Sequence, residues 1–424
     1  MIIHFLILMG MSMASLAFAD TPNSGLQFVF KNQEYNYQGL RAVAATTGGA
    51  ADYGECFVTA SAISDGDDES WYKEWNILAQ RIEKMATESL QKKQTVSASS
   101  AFMRASNYYR SAEFFLHTNP QDPRIIETWR KGKEAFLNSV KASGANIVEI
   151  KIPFETTTLP GYFCVAEGQT KEKKPLLILQ TGFDGTAEEL YYTVGYAAVK
   201  RGYHCLIFEG PGQGEVIRVQ GIPFRYNWES VITPVVNFAI KLKEINPQKI
   251  VLMGLSMGGY LVPRALAFEK RIKIGIVNGG VYDLHQVFLG PELASYEFEL
   301  DNPAVVKEVN AAILAKMKTD AGLRWAFGNA MYVFKVNSPI EVMKITQPYN
   351  LREVAREITC KMLVIDSEND FQMKGPSKKL FDALRSPKEY MFFTNKEGAG
   401  EHCQVGAYAL SHERIFNWLD ENLK

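Results

Sequence analysis

A serine hydroxyl becomes a strong nucleophile only when a neighbouring base takes its proton. One serine of this chain stands where a fold can arrange that. Ile250-Val251-Leu252-Met253 runs into Gly254-Leu255-Ser256-Met257-Gly258-Gly259, and a helical segment follows. The G-x-S-x-G pattern is weak by itself, but its context strengthens it. A serine raised on a tight strand-to-helix turn needs flanking residues without side chains, and Gly254 and Gly258 meet that need. In this arrangement an acid and then a histidine follow later in the chain, past the ends of further strands. The run Met362 to Ile365 leads into Asp366-Ser367-Glu368-Asn369-Asp370. Asp370 lies in the loop past the strand end and is the preferred acid, with Asp366 second and Glu368 third. Of the six histidines, His402 follows the last strand, in Gly398-Ala399-Gly400-Glu401-His402-Cys403-Gln404, and is the expected base. His117, His204 and His412 fit surface or core roles, and His285 is a candidate pocket residue.

The oxyanion that forms on attack needs donors fixed in advance. The backbone N–H of Met257, next to the nucleophile, is one expected donor. The other is assigned to Phe183 in the loop Gln180-Thr181-Gly182-Phe183-Asp184-Gly185-Thr186, with Gly182 giving clearance and Asp184 the competitor. Gly210-Pro211-Gly212-Gln213-Gly214 lacks the third glycine position of a dinucleotide fingerprint and a Lys-Ser/Thr pair. It reads as a tight loop at the active edge of a sheet. HExxH is absent and Cys403 reads as a packing residue, so no metal or cofactor is expected.

These residues need a sheet to hold them. Apolar runs at Leu176 to Leu179, Cys205 to Phe208, Ile250 to Met253, Ile272 to Val277, Met362 to Ile365 and Tyr390 to Phe393 alternate with helical segments. That is the pattern of a mostly parallel sheet buried on both faces. Ile147 to Ile152 alternates as a further strand, and Leu159-Pro160-Gly161 is expected to turn into Tyr162-Phe163-Cys164-Val165. Before it the pattern is helical. Trp71, Trp75, Leu78 and Ile82 share one face after the acidic run Asp65 to Glu69, which suits a helix start. Phe102, Ala105, Tyr109, Ala112 and Leu116 form a second stripe, and Asp122-Pro123 opens a third helix. Between Val281 and about Arg356 lies a long interval with a stripe at Leu323, Phe327, Met331 and Phe334, which reads as a helical cap. Trp325, Phe327, Tyr332, Tyr108 and Tyr109 are candidate pocket walls, with core packing as the alternative.

The chain has 424 residues with 46 Lys+Arg against 47 Asp+Glu, a net charge of −1. Without a basic excess there is no general electrostatic footprint for nucleic acid. An aromatic content of 12% and balanced charge exclude a disordered chain. The five cysteines, Cys56, Cys164, Cys205, Cys360 and Cys403, form no CxxC pair and read mostly as buried free thiols. Met1 to Ala19 contains no Asp, Glu, Lys or Arg and ends in Ala17-Phe18-Ala19, a small-x-small cleavage pattern. It reads as a signal peptide, with a membrane anchor or a buried helix as alternatives, so an exported chain without stable membrane insertion is expected. The expected divisions are the leader 1–19, a helical region 20–144, and an α/β domain 145–424 with a cap at about 281–356.

Gly254-Leu255-Ser256-Met257-Gly258, Asp370 and His402 match the elbow and triad order of the α/β-hydrolase superfamily. Gly182-Phe183-Asp184-Gly185-Thr186-Ala187-Glu188-Glu189, the Gly210 to Gly214 loop and Glu401-His402-Cys403-Gln404 resemble one branch more closely. That branch holds the 2,6-dihydroxypseudooxynicotine hydrolase type and fungal enzymes that shorten polyketides, and the likeness runs from about Tyr53 to the C-terminus. It implies the α/β-hydrolase fold with a helical N-terminal region and cap. It further implies a Ser256-Asp370-His402 hydrolase of small acyl or keto substrates, cleaving esters or carbon–carbon bonds beside ketones, and a homodimer. Glu209 departs from the Asp expected before the glycine loop, and the leader is unusual for the branch. The alternative is a serine exopeptidase of the prolyl-oligopeptidase type, in which Glu188 and Glu189 would receive a peptide amine. An exposed helix start is their other reading.

Overall fold

The computed structural model describes residues 25–168, 172–373 and 375–423, so the expected leader at 1–19 lies outside the described residues. The apolar runs form eight strands: β1 Ile147–Phe154, β2 Thr157–Cys164, β3 Lys174–Gln180, β4 His204–Phe208, β5 Ile245–Leu255, β6 Ile274–Asn278, β7 Lys361–Ser367 and β8 Lys388–Phe393. They make one sheet in the order β1-β2-β4-β3-β5-β6-β7-β8. β1 and β2 pair antiparallel, as do β2 and β4, and every other pair is parallel. The turn expected at Leu159-Pro160-Gly161 is instead the middle of β2, where Gly161 faces Ile150 and Phe208. The chain reverses earlier, at Glu155, whose φ is +47°.

The central strands are apolar throughout because successive side chains enter different cores. Leu176, Ile178, Ile250, Leu252 and Val364 pack into one core. Leu177, Leu179, Val251, Met253 and Ile365 pack into the other. Helices Glu229–Ala239 and Gly258–Leu266 cover the first face, and the C-terminal helix Tyr408–Asn422 covers the second.

Among the described residues five α-helices precede the sheet: α1 Gln33–Ala44, α2 Tyr53–Ala62, α3 Asp68–Gln91, α4 Thr95–Glu113 and α5 Pro123–Ser143. α3 starts within the acidic run, at Asp68, with the Asp67 side chain accepting from the N–H groups of Glu69 and Ser70. Asp122 caps α5 in the same way, and Pro123 begins the helix. Trp71, Trp75, Leu78 and Ile82 are buried on one face of α3. α4 holds α1 in place: Asn107 Nδ2 donates to the carbonyls of Ala42, at 2.9 Å, and Ala50, at 3.0 Å. Between β6 and β7 the helices Leu284–Leu293, Pro303–Met317, Ala321–Phe334 and Pro339–Thr346 form the cap.

Candidate active site

The parallel strands end along one edge of the sheet, and the candidate residues leave from those ends. Ser256 directly follows β5 with φ +57°, a left-handed conformation that a non-glycine residue holds only under constraint. Its N–H donates to Asn278 O at 2.8 Å, and its carbonyl accepts from Gly259 N at 2.7 Å. A Cβ on Gly254 would fall 2.4 Å from Gly258 O, so the turn closes only around glycine.

Beyond β7, Asp370 Oδ2 lies 2.7 Å from Nδ1 of His402, and both side chains are buried. The second oxygen of Asp370 accepts from Met373 N at 2.8 Å. Asp366 is turned elsewhere: it accepts from Tyr390 Oη at 2.5 Å and Ser367 N at 2.9 Å. Glu368 accepts from Asn395 N at 2.6 Å. The alternatives to Asp370 are thus engaged away from the imidazole. The acid and histidine loops are joined directly, with Asn369 N donating to Gly400 O at 2.8 Å and Asn369 Nδ2 to Glu401 at 3.1 Å.

The backbone after His402 is strained, with φ +52° at Cys403 and +53° at Gln404. Side chains hold it there. Gln404 exchanges hydrogen bonds with Asn278 at 2.8 and 3.0 Å and donates to Ser367 Oγ at 2.9 Å. Tyr37 Oη of α1 donates to His402 O at 3.2 Å. The point where a Cβ on Gly279 would sit is 3.2 Å from His402 Cε1 and 3.6 Å from Ser256 Cα, which brings imidazole and serine together. Cys403 Sγ is 3.5 Å from His402 Nε2. Burial opposes charge on His402, but the Asp370 carboxylate reverses that and holds the imidazole well above its usual 6.5.

The loop after β3 lies against the elbow. A Cβ on Gly182 would come within 2.8 Å of Ser256 Cβ and of Met257 N. The assigned donors, Phe183 N–H and Met257 N–H, therefore belong to adjoining segments beside the serine. Asp184, the competitor, points its carboxylate at Arg41 of α1, 2.9 Å away.

Ser256, His402, Phe183 and Met257 line a cavity, and the cap and α1 close it. Its apolar wall includes Phe183, Leu284, Val287, Phe288 and Trp325. Its polar lining includes Tyr37, Gln38, Arg41, Glu189, Gln372 and Tyr408. Arg41 pairs with Glu189 at 2.7 Å as well as with Asp184. Burial raises a carboxylate, yet Arg41 and Arg110 hold Glu189 below its usual range. Among the described residues, no group of three or more His, Cys, Asp or Glu could hold a metal ion. The five cysteines are free.

Several expectations need correction. Glu188 and Glu189 are buried, not an exposed helix start: Tyr162 Oη donates to Glu188 at 2.6 Å, and Arg41 holds Glu189. Trp325 walls the cavity, but Phe327, Tyr332, Tyr108 and Tyr109 do not. Tyr108 Oη donates to Glu55 at 2.7 Å, Tyr109 Oη to Glu83 at 2.5 Å, and Tyr332 stacks on His117 with ring centroids 4.6 Å apart. His285 is buried outside the cavity lining, 3.7 Å from Glu297. Glu209 fills its unusual position by accepting from Ala187 N at 2.8 Å and Glu215 N at 2.6 Å. Burial, then the neighbouring Glu188, pushes its carboxyl up to about 7. Tyr37, Gln38 and Arg41 had no signal in the sequence. α1 buries Glu34, Asn36 and Gln38 along with its apolar residues, so its sequence pattern does not mark which polar side chains face the cavity.

No family model matches the chain. It is 33% identical to the hydrolase acrC of Aspergillus aculeatus, over 92% of this chain and 96% of that protein. It is 31% identical to the 20-hydroxy-prefusarin hydrolase FUS2 of Gibberella moniliformis, over 92% and 97%. Among solved structures, 2,6-dihydroxy-pseudo-oxynicotine hydrolase superposes with a TM-score of 0.70 at 19% identity, covering 90% of this chain and 95% of that one. These likenesses extend over both the helical N-terminal region and the sheet. The chain is a hydrolase and belongs to the α/β-hydrolase superfamily, in the branch of these fungal hydrolases.

Proposed function

We propose that the protein is a serine-triad hydrolase of small acyl or keto substrates, cleaving an ester or a carbon–carbon bond beside a ketone. The observation that carries this is one constellation: Ser256 on a left-handed elbow, next to a His402 whose Nδ1 meets Asp370 at 2.7 Å, on the wall of a partly apolar cavity. The Asp370 contact fixes the tautomer, so the nitrogen that takes the Ser256 proton is Nε2 of neutral His402, whose neighbour in the resting site is Cys403 Sγ at 3.5 Å. Ser256 Oγ then bonds to the substrate carbonyl carbon. The carbonyl electron pair becomes an oxyanion facing the N–H groups of Phe183 and Met257. Collapse expels an alkoxide or, from a β-diketone, an enolate, and His402 returns the proton to it. Water hydrolyses the acyl-serine by the same steps. The relatives' names support this breadth, since one acts on a prefusarin and the neighbour in structure on an oxynicotine.

The exopeptidase alternative draws no support from Glu188 and Glu189, whose carboxylates are occupied by Tyr162 and Arg41. The test is a panel of p-nitrophenyl esters, aminoacyl p-nitroanilides and β-diketones, with fluorophosphonate labelling. Ser256→Ala is expected to abolish ester or diketone turnover and labelling while keeping the wild-type circular dichroism spectrum. Wild-type labelling in that variant removes Ser256 as nucleophile, and turnover confined to the anilides moves the reading to the exopeptidase.

A further inference from the structure

Three successive peptides form the loop that meets the nucleophile, and their carbonyls share one kind of partner. Gln213 Nε2 donates to Thr181 O and to Gly182 O, each at 2.9 Å. Asn329 Nδ2, from the cap helix Ala321–Phe334, donates to Phe183 O at 3.3 Å. The other end of the Gln213 amide is equally committed. Its Oε1 accepts from Gly210 N at 3.0 Å and from Gln180 Nε2 at 2.6 Å. Gln180 is oriented in turn by Trp228, whose Nε1 donates to its Oε1 at 3.2 Å. Gln213 is 2% exposed, so water does not substitute for these bonds.

Two consequences follow from elementary geometry. An amide that accepts two bonds at oxygen and donates two at nitrogen has a single workable orientation, and neither a carboxylate nor a thioether can reproduce it. A trans peptide is planar, so its C=O and the following N–H point in opposite directions. Drawing Gly182 O towards Gln213 therefore turns Phe183 N–H the other way. Gly182 has no clearance to absorb an error, because the elbow lies within 3 Å of where its Cβ would be.

We infer that Gln213 is a positioning residue for the oxyanion hole: its side-chain amide sets the direction of Phe183 N–H without touching substrate. This rests on the serine mechanism proposed above. It gives the Gly210 to Gly214 loop a catalytic purpose beyond making a tight turn.

The test compares Gln213→Met, of similar length but without amide atoms, with Gln213→Glu, of the same shape but without the donor. Each is assayed for ester turnover and for binding a trifluoromethyl ketone, to which Ser256 adds to give a tetrahedral oxyanion. The corresponding secondary alcohol, which forms no oxyanion, is the control. Removing an oxyanion donor outright costs about 10²–10³ in kcat, so misdirecting one is expected to cost about 10–100-fold. KM and alcohol affinity are expected within about threefold of wild type, and ketone affinity should fall in step with kcat. Folded variants with kcat and ketone affinity within threefold of wild type overturn the inference. Equal loss of ketone and alcohol affinity overturns it too, as does failure of both variants to fold, since Gln213 would then be only scaffold. A wild-type protein that neither labels at Ser256 nor binds the ketone overturns the serine reading itself, and this inference with it.

Discussion

Replacing Asp370 by Asn separates a positioned triad from a polar cluster that merely surrounds a serine. Asp370 Oδ2 and His402 Nδ1 are 2.7 Å apart in a buried setting, so the interaction is a strong charge-assisted hydrogen bond. An amide of the same shape removes the charge that stabilises the imidazolium and also permits the wrong tautomer. Comparable changes at triad acids lower kcat about 10⁴-fold, a barrier increase of about 5 kcal/mol. The matched control is Asp366→Asn, which touches Tyr390 and Ser367 N and not the histidine. Its kcat is expected within about threefold of wild type, under ~1 kcal/mol in the barrier.

The assay is steady-state hydrolysis of a p-nitrophenyl ester across pH, with the thermal midpoint measured alongside. In wild type, His402 must lose its proton before it can act, and its value is raised above 6.5. The acid limb of kcat/KM, which reports the free enzyme, should therefore lie above pH 6.5. In Asp370→Asn, burial acts on the imidazole without the carboxylate, and the limb should move to lower pH. Folding stability follows the same sign. A raised folded value means that protonation of His402 stabilises the native state fully below about 6.5, and that this is lost as pH rises through the folded value. A larger kcat loss in Asp366→Asn than in Asp370→Asn, or an acid limb that does not move, refutes the assignment.

Arg41→Met should destabilise the protein by about 3–5 kcal/mol in urea unfolding, because the half-buried Asp184 would lose its cation and the buried Glu189 would keep only Arg110, 3.7 Å away. A loss below ~1 kcal/mol would show that the polar wall relaxes freely. Glu34 is buried between Gln38 and Gln372, and burial raises its carboxyl from 4.5 to about 7. Its protonated form stabilises the native state fully below 4.5, and that stability is lost as pH rises through about 7. Glu34→Gln should therefore gain on wild type by up to ~3 kcal/mol between pH 4.5 and 8, and urea midpoints that shift in parallel at both pH values would contradict this.

What the sequence determined was whatever depends on neighbours along the chain. The elbow is local: an apolar strand, glycines at the points of contact, and a helix after it. The alternation of buried runs and helices declares a parallel sheet, because only strands apolar on both faces read that way. Caps such as Asp122-Pro123 act within one helical turn and are equally legible. Loop position favoured Asp370 over Asp366 and Glu368, but only tertiary structure shows which carboxylate the neighbouring strand and the histidine loop leave facing the imidazole. The same holds for the pocket. Trp325 faces the cavity while Phe327, two residues on, does not, because two helical steps turn a side chain by about 200°. Only the seating of the cap decides which side looks inward. Most of all, tertiary structure decided the role of α1, whose Tyr37 secures the histidine loop and whose Arg41 pairs with the carboxylates of Asp184 and Glu189 at the cavity. Those contacts join segments far apart in the chain, and nothing local to α1 encodes them.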